Sequence, residues 1–333
     1  MATGKEFKLA MLGCGAIAKE HLNAAASLDD VVPVAFCDTA IERAEAMAAA
    51  AGTRSYSDYT ELLAREELDG AIVCSPPSVH KEMALACLER GVPVLCEKPL
   101  ADSATSAAEM VQATNAAKAL LTTAFVHRFT DLTRETRAVI DAGKLGTVLL
   151  AEFSMIMHLD LSADWHGSKE VAGGGVFADS GVHLVDLVRY LFGEITSVTG
   201  SFSTFFPNID VEDTGAMLLR TKNGPLCCIS MSFAAPQGLL DHFRLFGTEG
   251  ALTGTLVEGI QYRLRDDADW TRIPAKDHFR AFVAQLDHFI KCARGECEPI
   301  VTAEDGWRAT AIVEAAYGAA AKGTWVPIGG VNR

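Results

Sequence analysis

A lysine, an aspartate and a histidine suggest the first chemistry in this sequence. Asp179 and His183 are four residues apart, so they share one face if their segment is helical. A histidine is suited to take a proton from a hydroxyl near neutral pH, and a carboxylate one turn away can orient the imidazole or the hydroxyl. Lys98 can polarise the same oxygen with its positive charge. These residue types predict oxidation of an alcohol, in which His183 takes the proton while a hydride leaves the carbon.

The spacing of Asp179 and His183 does not establish a site by itself. Such pairs are common on solvated helix faces, where they contribute only about 0.2–0.5 kcal/mol. On spacing alone, that structural interpretation is favoured. The functional interpretation depends on two neighbouring features: the triple glycine 173–175 precedes Asp179, and Lys98 follows an apolar run that ends abruptly in an acid, a base and a proline.

The N-terminal segment has the pattern of a dinucleotide-binding turn. An apolar strand at 7–12 runs into Gly-x-Gly-x-x-Ala at 13–18, and 19–27 has helical composition. The first glycine permits the tight turn, the second lets the backbone approach a pyrophosphate, and the alanine allows close helix packing. A glycine-rich turn is common in α/β proteins, but here strand and helix stand in the required order. The predicted cofactor contacts of this turn are Gly13, Gly15, Ala16 and Ile17.

Asp38 follows the next strand, 31–37, where this fold places the carboxylate that accepts hydrogen bonds from the adenosine ribose. A 2'-phosphate would be repelled there. The adjacent Thr39 is also a predicted cofactor contact and supplies no cation, so NAD is predicted rather than NADP. Arg43, one turn later, could soften that exclusion. An alternative role for Asp38 as a helix cap is compatible with ribose binding.

A proline-rich loop follows the unbroken apolar strand 70–74. Ser75 and Pro76 stand at its carboxyl end, the edge where open α/β sheets bind ligands. His80, on the next helix, either contacts the cofactor or caps local structure, and the sequence leaves both open. The predicted cofactor contacts at this edge are Ser75, Pro76, His80, Glu97 and Lys98.

The element pattern predicts two domains. Strands and helices alternate through residue 125, which is typical of a doubly wound parallel sheet. Beyond it lie longer strand candidates and the hairpin signal Asn223-Gly224. We therefore expect an N-terminal α/β Rossmann domain at 1–125 and a C-terminal α+β domain at 126–333 with a large, mostly antiparallel open sheet. The strand candidates are 148–157, 197–205 and 226–233, and the later helices are 131–141, 278–289 and 304–321.

Composition excludes several classes of protein. Of 333 residues, 49% are hydrophobic and 22% charged, the balance of a globular enzyme rather than a disordered chain. The net charge of -14 and the lack of a Lys/Arg run disfavour nucleic acid. Neither a signal core nor a membrane-spanning apolar run is apparent, so no membrane association and a cytoplasmic location are expected.

The nine cysteines are scattered and odd in number, several within apolar runs, which suits a reducing compartment. Neither Cys227-Cys228 nor Cys292 with Cys297 shows metal-ligand spacing with nearby histidines. Buried thiols and no metal site are therefore predicted.

The chain resembles the glucose-fructose oxidoreductase, inositol 2-dehydrogenase and rhizopine-catabolism (Gfo/Idh/MocA) family over nearly its whole length. The matching motifs are the glycine turn, Asp38, Ser75-Pro76-Pro77 with His80, Glu97-Lys98-Pro99, His127-Arg128-Phe129, the triple glycine and Asp179-x-x-x-His183. The resemblance implies a cleft between two domains for nicotinamide and substrate, and it implies that Lys98, Asp179 and His183 are catalytic. It also suggests that Arg128 and Trp165 approach the cofactor or substrate.

The resemblance implies an NAD-dependent oxidoreductase acting on a secondary alcohol of a sugar, inositol or related polyol. The predicted specificity loops are 155–170 and 234–242, and they contain no cluster of Arg or Lys that would suit a sugar nucleotide. Two alternatives stay open: an NAD-dependent glycosidase that oxidises its sugar transiently, and a non-catalytic NAD-sensing protein. An apolar sheet face rich in Ile, Met and Phe predicts a homodimer or homotetramer.

Overall fold

The computed structural model describes residues 6–236, 242–276 and 278–329, so residues 237–241 of the predicted specificity loop lie outside the described residues. The chain forms two compact units. The first comprises the residues up to Val126 together with Phe279–Trp307, and the second comprises His127–His278 with the residues from Arg308 onward. Residues 279–307, which the sequence analysis assigns to the second domain, thus return to the first unit.

The first unit is built on a six-stranded parallel sheet in the order β3-β2-β1-β4-β5-β6. Its strands are rich in apolar residues, and every residue of the strand that begins at Gly70 is buried, as expected of a parallel sheet covered on both faces. The strands are β1 Phe7–Leu12, β2 Val31–Cys37, β3 Arg54–Tyr56, β4 Gly70–Val73, β5 Val94–Cys96 and β6 Leu121–Thr123. The predicted Rossmann sheet is confirmed.

Helices connect the strands of this sheet. Strand order reverses between β1 and β4, so the crevice at their carboxyl ends is the topological switch point where open α/β sheets bind ligands. A later helix, α9, also belongs to this unit and packs Phe289 edge-on against Phe7 of β1, with ring centroids 6.3 Å apart. The helices are α1 Ala16–Ala26, α2 Ile41–Ala51, α3 Tyr59–Arg65, α4 Pro77–Glu89, α5 Ala104–Ala117 and α9 Phe279–Ala293.

The second unit contains a nine-stranded sheet in the order β14-β13-β12-β11-β7-β10-β9-β8-β15. Among the described residues of this sheet, only β7 and β10 pair in parallel. The turn at Asn223-Gly224 joins the antiparallel pair β9 and β10 as predicted. The mostly antiparallel C-terminal sheet is therefore confirmed. The strands are β7 Val148–Ile156, β8 Ile195–Ser203, β9 Thr214–Thr221, β10 Leu226–Ser232, β11 His242–Gly247, β12 Gly250–Thr255, β13 Gly259–Leu264, β14 Thr271–Ile273 and β15 Val326–Pro327.

One face of this sheet forms the core of the second unit. Phe153, Met155, Ile229 and Met231 alternate with polar neighbours and are all buried. The Ile, Met and Phe side chains that the sequence analysis expected on an exposed face therefore point into the core, where a phenylalanine contributes about 2–3 kcal/mol by burial. The helices of this unit are α6 Asp131–Asp141, α7 Lys169–Ala172 and α8 Val182–Phe192, and α10 Ala303–Lys322 is divided between the units after Trp307.

One helical stretch among the described residues, Lys169–Phe192, is long and apolar enough to cross a membrane by length and composition. Of its most apolar window, 72% is buried inside the protein. The sequence analysis found no apolar run of membrane-spanning length, whereas this stretch passes that test. Its burial is that of a core helix.

Candidate active site

The glycine turn after β1 has the geometry that its residues predict. Gly13 has φ +97°, and a Cβ there would lie 2.5 Å from the carbonyl carbon of Cys74 at the end of β4. Gly15 caps the N-terminus of α1, and a Cβ on it would meet nothing within 4 Å. The first glycine is therefore required by conformation and contact, whereas the second leaves open space at a helix N-terminus, where backbone N–H groups bind an anion.

Asp38 is held in place by backbone donors. Its Oδ2 accepts a hydrogen bond from the Cys14 N–H at 2.9 Å, and its Oδ1 accepts one from the Ala40 N–H at 2.9 Å. The contact with Ala40 closes a turn before α2 and does not cap that helix, whose N-cap is Ala40. The contact with Cys14 ties the carboxylate to the glycine turn. Each oxygen has a second lone pair, so the carboxylate can still accept from ribose hydroxyls. Thr39 beside it is exposed.

His80 joins the carboxyl ends of β4 and β5. Its ring is buried, with Nε2 2.6 Å from the Ser75 carbonyl oxygen and Nδ1 3.0 Å from the Pro99 carbonyl oxygen. Burial lowers the pKa of His80, and hydrogen bonds to these carbonyls oppose the shift. The ring therefore links the loop at Ser75 to Pro99, the residue after Lys98. Of the two roles left open for His80, these contacts favour support of local structure over contact with the cofactor.

A buried pair supports the residue next to Lys98. Glu97 is 5% exposed, and its Oε1 lies 2.8 Å from Nε2 of the fully buried His21 on α1. Its Oε2 accepts from the Lys98 N–H at 3.1 Å. This carboxylate thus links the helix behind the glycine turn to the backbone of Lys98, whose side chain is half-buried. Sequence reasoning missed His21, although a histidine on the apolar face of that helix was the available signal.

A buried polar group at the carboxyl edge of the first sheet fits contact with a dinucleotide. The Ser75 Oγ is buried and has no hydrogen-bond partner among the described residues. It lies at the switch-point edge, on the loop that the sequence predicts to contact the cofactor. An unsatisfied hydroxyl and the open approach at Gly15 both fit a polar ligand at this edge.

In the second unit, Asp179 and His183 lie on one continuous helix. Phe177–Gly181 forms a π-helical segment that leads directly into α8, and such segments are frequent at functional sites. The Ser180 hydroxyl donates to the half-buried Asp179 carboxylate at 2.9 Å. His183 is only 6% exposed, so the solvated-face interpretation does not describe it.

Three histidines cluster in this unit. The rings of His127 and His183 stack with centroids 4.3 Å apart and planes 10° apart. His278 meets His127 edge-on at 6.0 Å. Stacking on a neighbouring ring restricts the orientation of the His183 imidazole, which a proton acceptor requires. Asp179, His183 and His127 therefore form the candidate proton-transfer group of the second unit.

Arg128 and Trp165 are placed differently. The guanidinium of Arg128 is buried and binds Asp186 of α8 in bidentate fashion, at 2.8 and 2.6 Å, while lying 5.0 Å from the centre of the Tyr190 ring. Trp165 is half-buried and stacks on His166, with centroids 3.7 Å apart. Their contact with cofactor or substrate stays a prediction, but Arg128 has a clear structural role in fixing α8.

Glu212 organises the turn before Asp179, and no sequence pattern pointed to it. It accepts hydrogen bonds from the Gly175 N–H at 2.9 Å, the Phe177 N–H at 3.0 Å and the Tyr317 hydroxyl at 2.6 Å. A Cβ at Gly175 would overlap the Glu212 carbonyl oxygen, which explains the glycine. Burial raises the pKa of Glu212, and these hydrogen bonds oppose the shift.

Glu212→Gln should lower the free energy of unfolding by about 1–3 kcal/mol. The amide NH₂ replaces the oxygen that accepts from the Gly175 N–H, so two N–H donors face each other without an acceptor. Tyr317→Phe removes one hydrogen bond and should cost less, about 1 kcal/mol. Urea unfolding at pH 7 measures both, with exposed Glu89→Gln as the control.

The raised pKa adds a pH dependence to this prediction. A carboxyl whose pKa is raised on folding stabilises the protein fully below the ordinary value of 4.5, and that stability is lost as pH rises through the folded-state pKa. Glu212→Gln should reduce the dependence of the free energy of unfolding on pH in this range. A Glu212→Gln protein as stable as the Glu89→Gln control, with the same pH slope, would contradict the assigned role.

Comparisons with known proteins agree with this geometry. Residues 7–125 match the profile of an oxidoreductase family with an NAD-binding Rossmann fold. Residues 133–253 match that of the GFO/IDH/MocA C-terminal domain. The two matches cover the sheet of the first unit and β7 to β11 of the second, with most of β12.

Two proteins that align with this chain over nearly their full length are named as dehydrogenases. The D-apiose dehydrogenase of Paraburkholderia graminis is 29% identical, with 98% of this chain and 91% of that protein aligned. Inositol 2-dehydrogenase 2 of Saccharopolyspora erythraea is 28% identical over 96% and 95%. A levoglucosan dehydrogenase in complex with NADH and levoglucosan superposes with a TM-score of 0.90 at 23% identity, covering 97% of this chain and 99% of that one, and shows the shared fold.

Proposed function

Because the chain belongs to the GFO/IDH/MocA family of NAD-binding oxidoreductases, we propose that it oxidises a secondary hydroxyl of a small neutral sugar, inositol or related polyol. The observation that carries this proposal is the position of Lys98. It stands two residues after the end of β5, at the carboxyl edge of the parallel sheet, and the same edge carries the glycine turn, Asp38 and the unsatisfied Ser75 hydroxyl.

Each proposed catalytic residue has a distinct role. Bound NAD supplies the hydride acceptor. Lys98 polarises the substrate oxygen, and His183 takes its proton. Asp179, held by Ser180, orients the substrate or the imidazole. His183 is held by stacking on His127, and the Lys98 backbone is held by its hydrogen bond to Glu97. Groups held in position lose less entropy when the reacting geometry forms.

The substrate class rests on the relatives and on charge. The relatives are named for apiose and inositol, both neutral polyhydroxyl compounds. In this chain, loop 155–170 and the described part of loop 234–242 carry no cluster of cations that would bind a nucleotide sugar. A neutral hydroxyl-rich substrate therefore fits better than an anionic one.

A substrate screen tests the proposal. NADH formation, followed at 340 nm across inositols, aldoses and their derivatives, should identify at least one substrate with a kcat/KM above about 10⁴ M⁻¹s⁻¹, the lower end for enzymes. Aglycone release from an aryl glycoside without net NADH would instead indicate the NAD-dependent glycosidase. Tight NAD binding with no turnover of any compound would indicate an NAD-sensing protein.

We expect the cofactor preference to reverse on substitution at Asp38. The wild-type carboxylate repels a 2'-phosphate, so kcat/KM should favour NAD over NADP by about 10² or more. Asp38→Ser with Thr39→Arg removes the repulsion and adds a cation, which should shift preference toward NADP by about 10²–10³. Steady-state kinetics with both cofactors measure the ratio, and Thr39→Ser serves as the control. Equal efficiency of the wild-type enzyme with NAD and NADP would contradict the role of Asp38.

We further propose that the chain forms a homodimer or homotetramer through the open face of the nine-stranded sheet. Phe246, Leu150 and Leu226 stand in one row across three paired strands of that face. Phe246 is 39% and Leu226 42% exposed in the single chain, and Leu218 on the next strand is 37% exposed. A continuous apolar row of this kind on a sheet marks an interface.

Light scattering at micromolar concentration should therefore give a mass of two or four times the 35.5 kDa chain. Leu226→Glu with Phe246→Glu should lower it to that of one chain, because like charges would face each other across a twofold axis. Glu89→Gln is the matched surface control. A wild-type mass of 35.5 kDa would refute the assembly.

A cytoplasmic location is also proposed. All nine cysteines are free thiols, and six of them are buried. Unpaired cysteines in this number suit a reducing compartment. Fractionation of cells that express the protein should recover it with cytoplasmic markers rather than with periplasmic or membrane markers.

A further inference from the structure

We propose that Cys292 and Cys297 form a peroxide-sensitive thiol pair, with His288 as the base that assists closure of their disulfide. This pair lies at the C-terminal end of α9, outside the residues assigned to dehydrogenation. The sequence analysis found no histidine at ligand spacing from these cysteines. The structure corrects this, because His288 stands one helical turn before Cys292 and all three side chains meet.

The helix end brings the two cysteines together. The Gly295 N–H donates to the Cys292 carbonyl and the Glu296 N–H donates to the Lys291 carbonyl, both at 2.9 Å. Gly295 has φ +73°, so these bonds form the left-handed C-terminal turn that reverses the chain. Cys297 follows this turn, and its Sγ lies 3.5 Å from the Sγ of Cys292. Closing a disulfide from this separation requires a movement of about 1.5 Å, since the S–S bond is about 2.05 Å long.

The imidazole of His288 contacts both thiols. Its Nε2 is 3.5 Å from the Cys292 Sγ, and its Nδ1 is 3.7 Å from the Cys297 Sγ. Nε2 also accepts from the Ile300 N–H at 2.9 Å, which makes it the acceptor nitrogen and places the ring proton on Nδ1, facing Cys297. Burial lowers the pKa of His288, which keeps the ring neutral and its Nε2 lone pair available.

The two thiols differ in environment. Cys297 is exposed and faces the Nδ1–H donor, so it meets a small oxidant first. Cys292 is half-buried, and burial raises its pKa to about 12, with Cys297 adding to the shift. Cys292 therefore stays a thiol until a neighbouring base takes its proton. Cys297 is the attacking sulfur and Cys292 the resolving one.

The reaction with hydrogen peroxide balances in two steps. The Cys297 sulfur attacks one peroxide oxygen, the O–O bond breaks, and the other oxygen leaves as water with the thiol proton, which gives a sulfenic acid. The Cys292 sulfur then attacks the Cys297 sulfur while its proton passes to Nε2 of His288. The S–O bond breaks, and the hydroxide leaves as water after receiving that proton. Two thiols lose two electrons in total, and one peroxide becomes two waters.

The same hydrogen bond disfavours a metal ion at this cluster. A metal on Nε2 would displace the Ile300 N–H, and a metal on Nδ1 would move the ring proton to Nε2, where it would oppose that N–H. Disulfide closure interrupts the contact with Ile300 only while Nε2 carries the proton of Cys292, and the contact re-forms once that proton has passed to the leaving hydroxide. The geometry therefore favours thiol oxidation over metal binding.

Peptide mapping tests this proposal without any assay of dehydrogenase activity. The reduced full-length protein is treated with hydrogen peroxide, blocked with N-ethylmaleimide and digested with trypsin. Cleavage after Arg294 separates the two cysteines, so the disulfide should appear as peptide 292–294 linked to peptide 295–308. The adjacent Cys227 and Cys228 provide the internal control and should remain reduced.

Three variants complete the test. Cys292→Ser should leave Cys297 as a sulfenic acid that dimedone traps, and Cys297→Ser should leave Cys292 reduced. His288→Phe keeps a ring but removes the base, and it should slow closure about tenfold or more. Unchanged closure in His288→Phe, preferential oxidation of Cys292 in Cys297→Ser, or about one equivalent of zinc that shields both thiols in the untreated protein would overturn the proposal.

Discussion

Lys98→Ala should lower kcat by about 10²–10³, the usual loss for one charge-stabilising donor, while NAD affinity changes less than about threefold. The lysine matters most in the transition state, where negative charge grows on the substrate oxygen, and only interactions that strengthen there accelerate the reaction. Steady-state kinetics on the substrate from the screen give kcat, and calorimetric titration gives the dissociation constant of NAD.

Two further variants make that result specific. Lys98→Met keeps most of the apolar stem and should lose as much rate as Lys98→Ala, which separates the charge from the packing. Lys81→Ala removes a lysine from α4, where its ammonium pairs with Glu109 at the surface. This variant should change kcat and NAD affinity very little. An equal loss of NAD affinity and kcat in Lys98→Ala would show that the lysine serves cofactor binding rather than the chemical step.

Features defined by neighbouring residues could be predicted from the sequence. The glycine turn, the carboxylate after β2 and the hairpin at Asn223-Gly224 depend on backbone conformations that a few adjacent residues dictate. The alternation of apolar strands and helices likewise identified the parallel sheet. By contrast, strands of three residues such as β3 and β14 are too short to show a periodic pattern.

The supporting contacts of the candidate site could not be predicted in this way. Glu212 and Tyr317 are 105 residues apart, and His21 and Glu97 are 76 apart, so only the folded chain brings each pair together. The return of α9 to the first unit has the same origin. Its amphipathic pattern identifies a helix with one apolar face, but the pattern does not say which core receives that face.

Burial also changed the interpretation of single residues. Ile, Met and Phe in the long strands suggested an exposed interface, but period-two alternation places them on the core face and leaves Leu226 and Phe246 on the open one. The family resemblance suggests that Arg128 approaches the cofactor or substrate, which stays a prediction, and the structure adds its pairing with Asp186. In both cases residue type was informative about chemistry, whereas the direction of the side chain depended on register and packing.

His183→Ala should lower kcat by about 10²–10⁴, the range for a lost general base, and should remove the acid limb of the pH–rate profile. The buried ring stacked on His127 makes His183 the proposed acceptor, since a fixed imidazole can face the substrate hydroxyl without reorientation. If the acid limb and near-normal turnover persisted in His183→Ala, the proton would have to pass to another group, and Lys98 would be the first to test.

The Lys98→Ala/His183→Ala double variant tests whether the two residues act on one oxygen. If they stabilise the same transition state as a unit, the double variant should be little slower than the slower single variant, because losing either group already disables the step. Lys81→Ala/His183→Ala is the matched control and should equal His183→Ala. Thermal unfolding of each variant excludes loss of the fold. Fully additive losses, approaching the product of the two single effects, would place Lys98 and His183 at separate steps, and the proposed proton transfer with a shared oxygen would have to be abandoned.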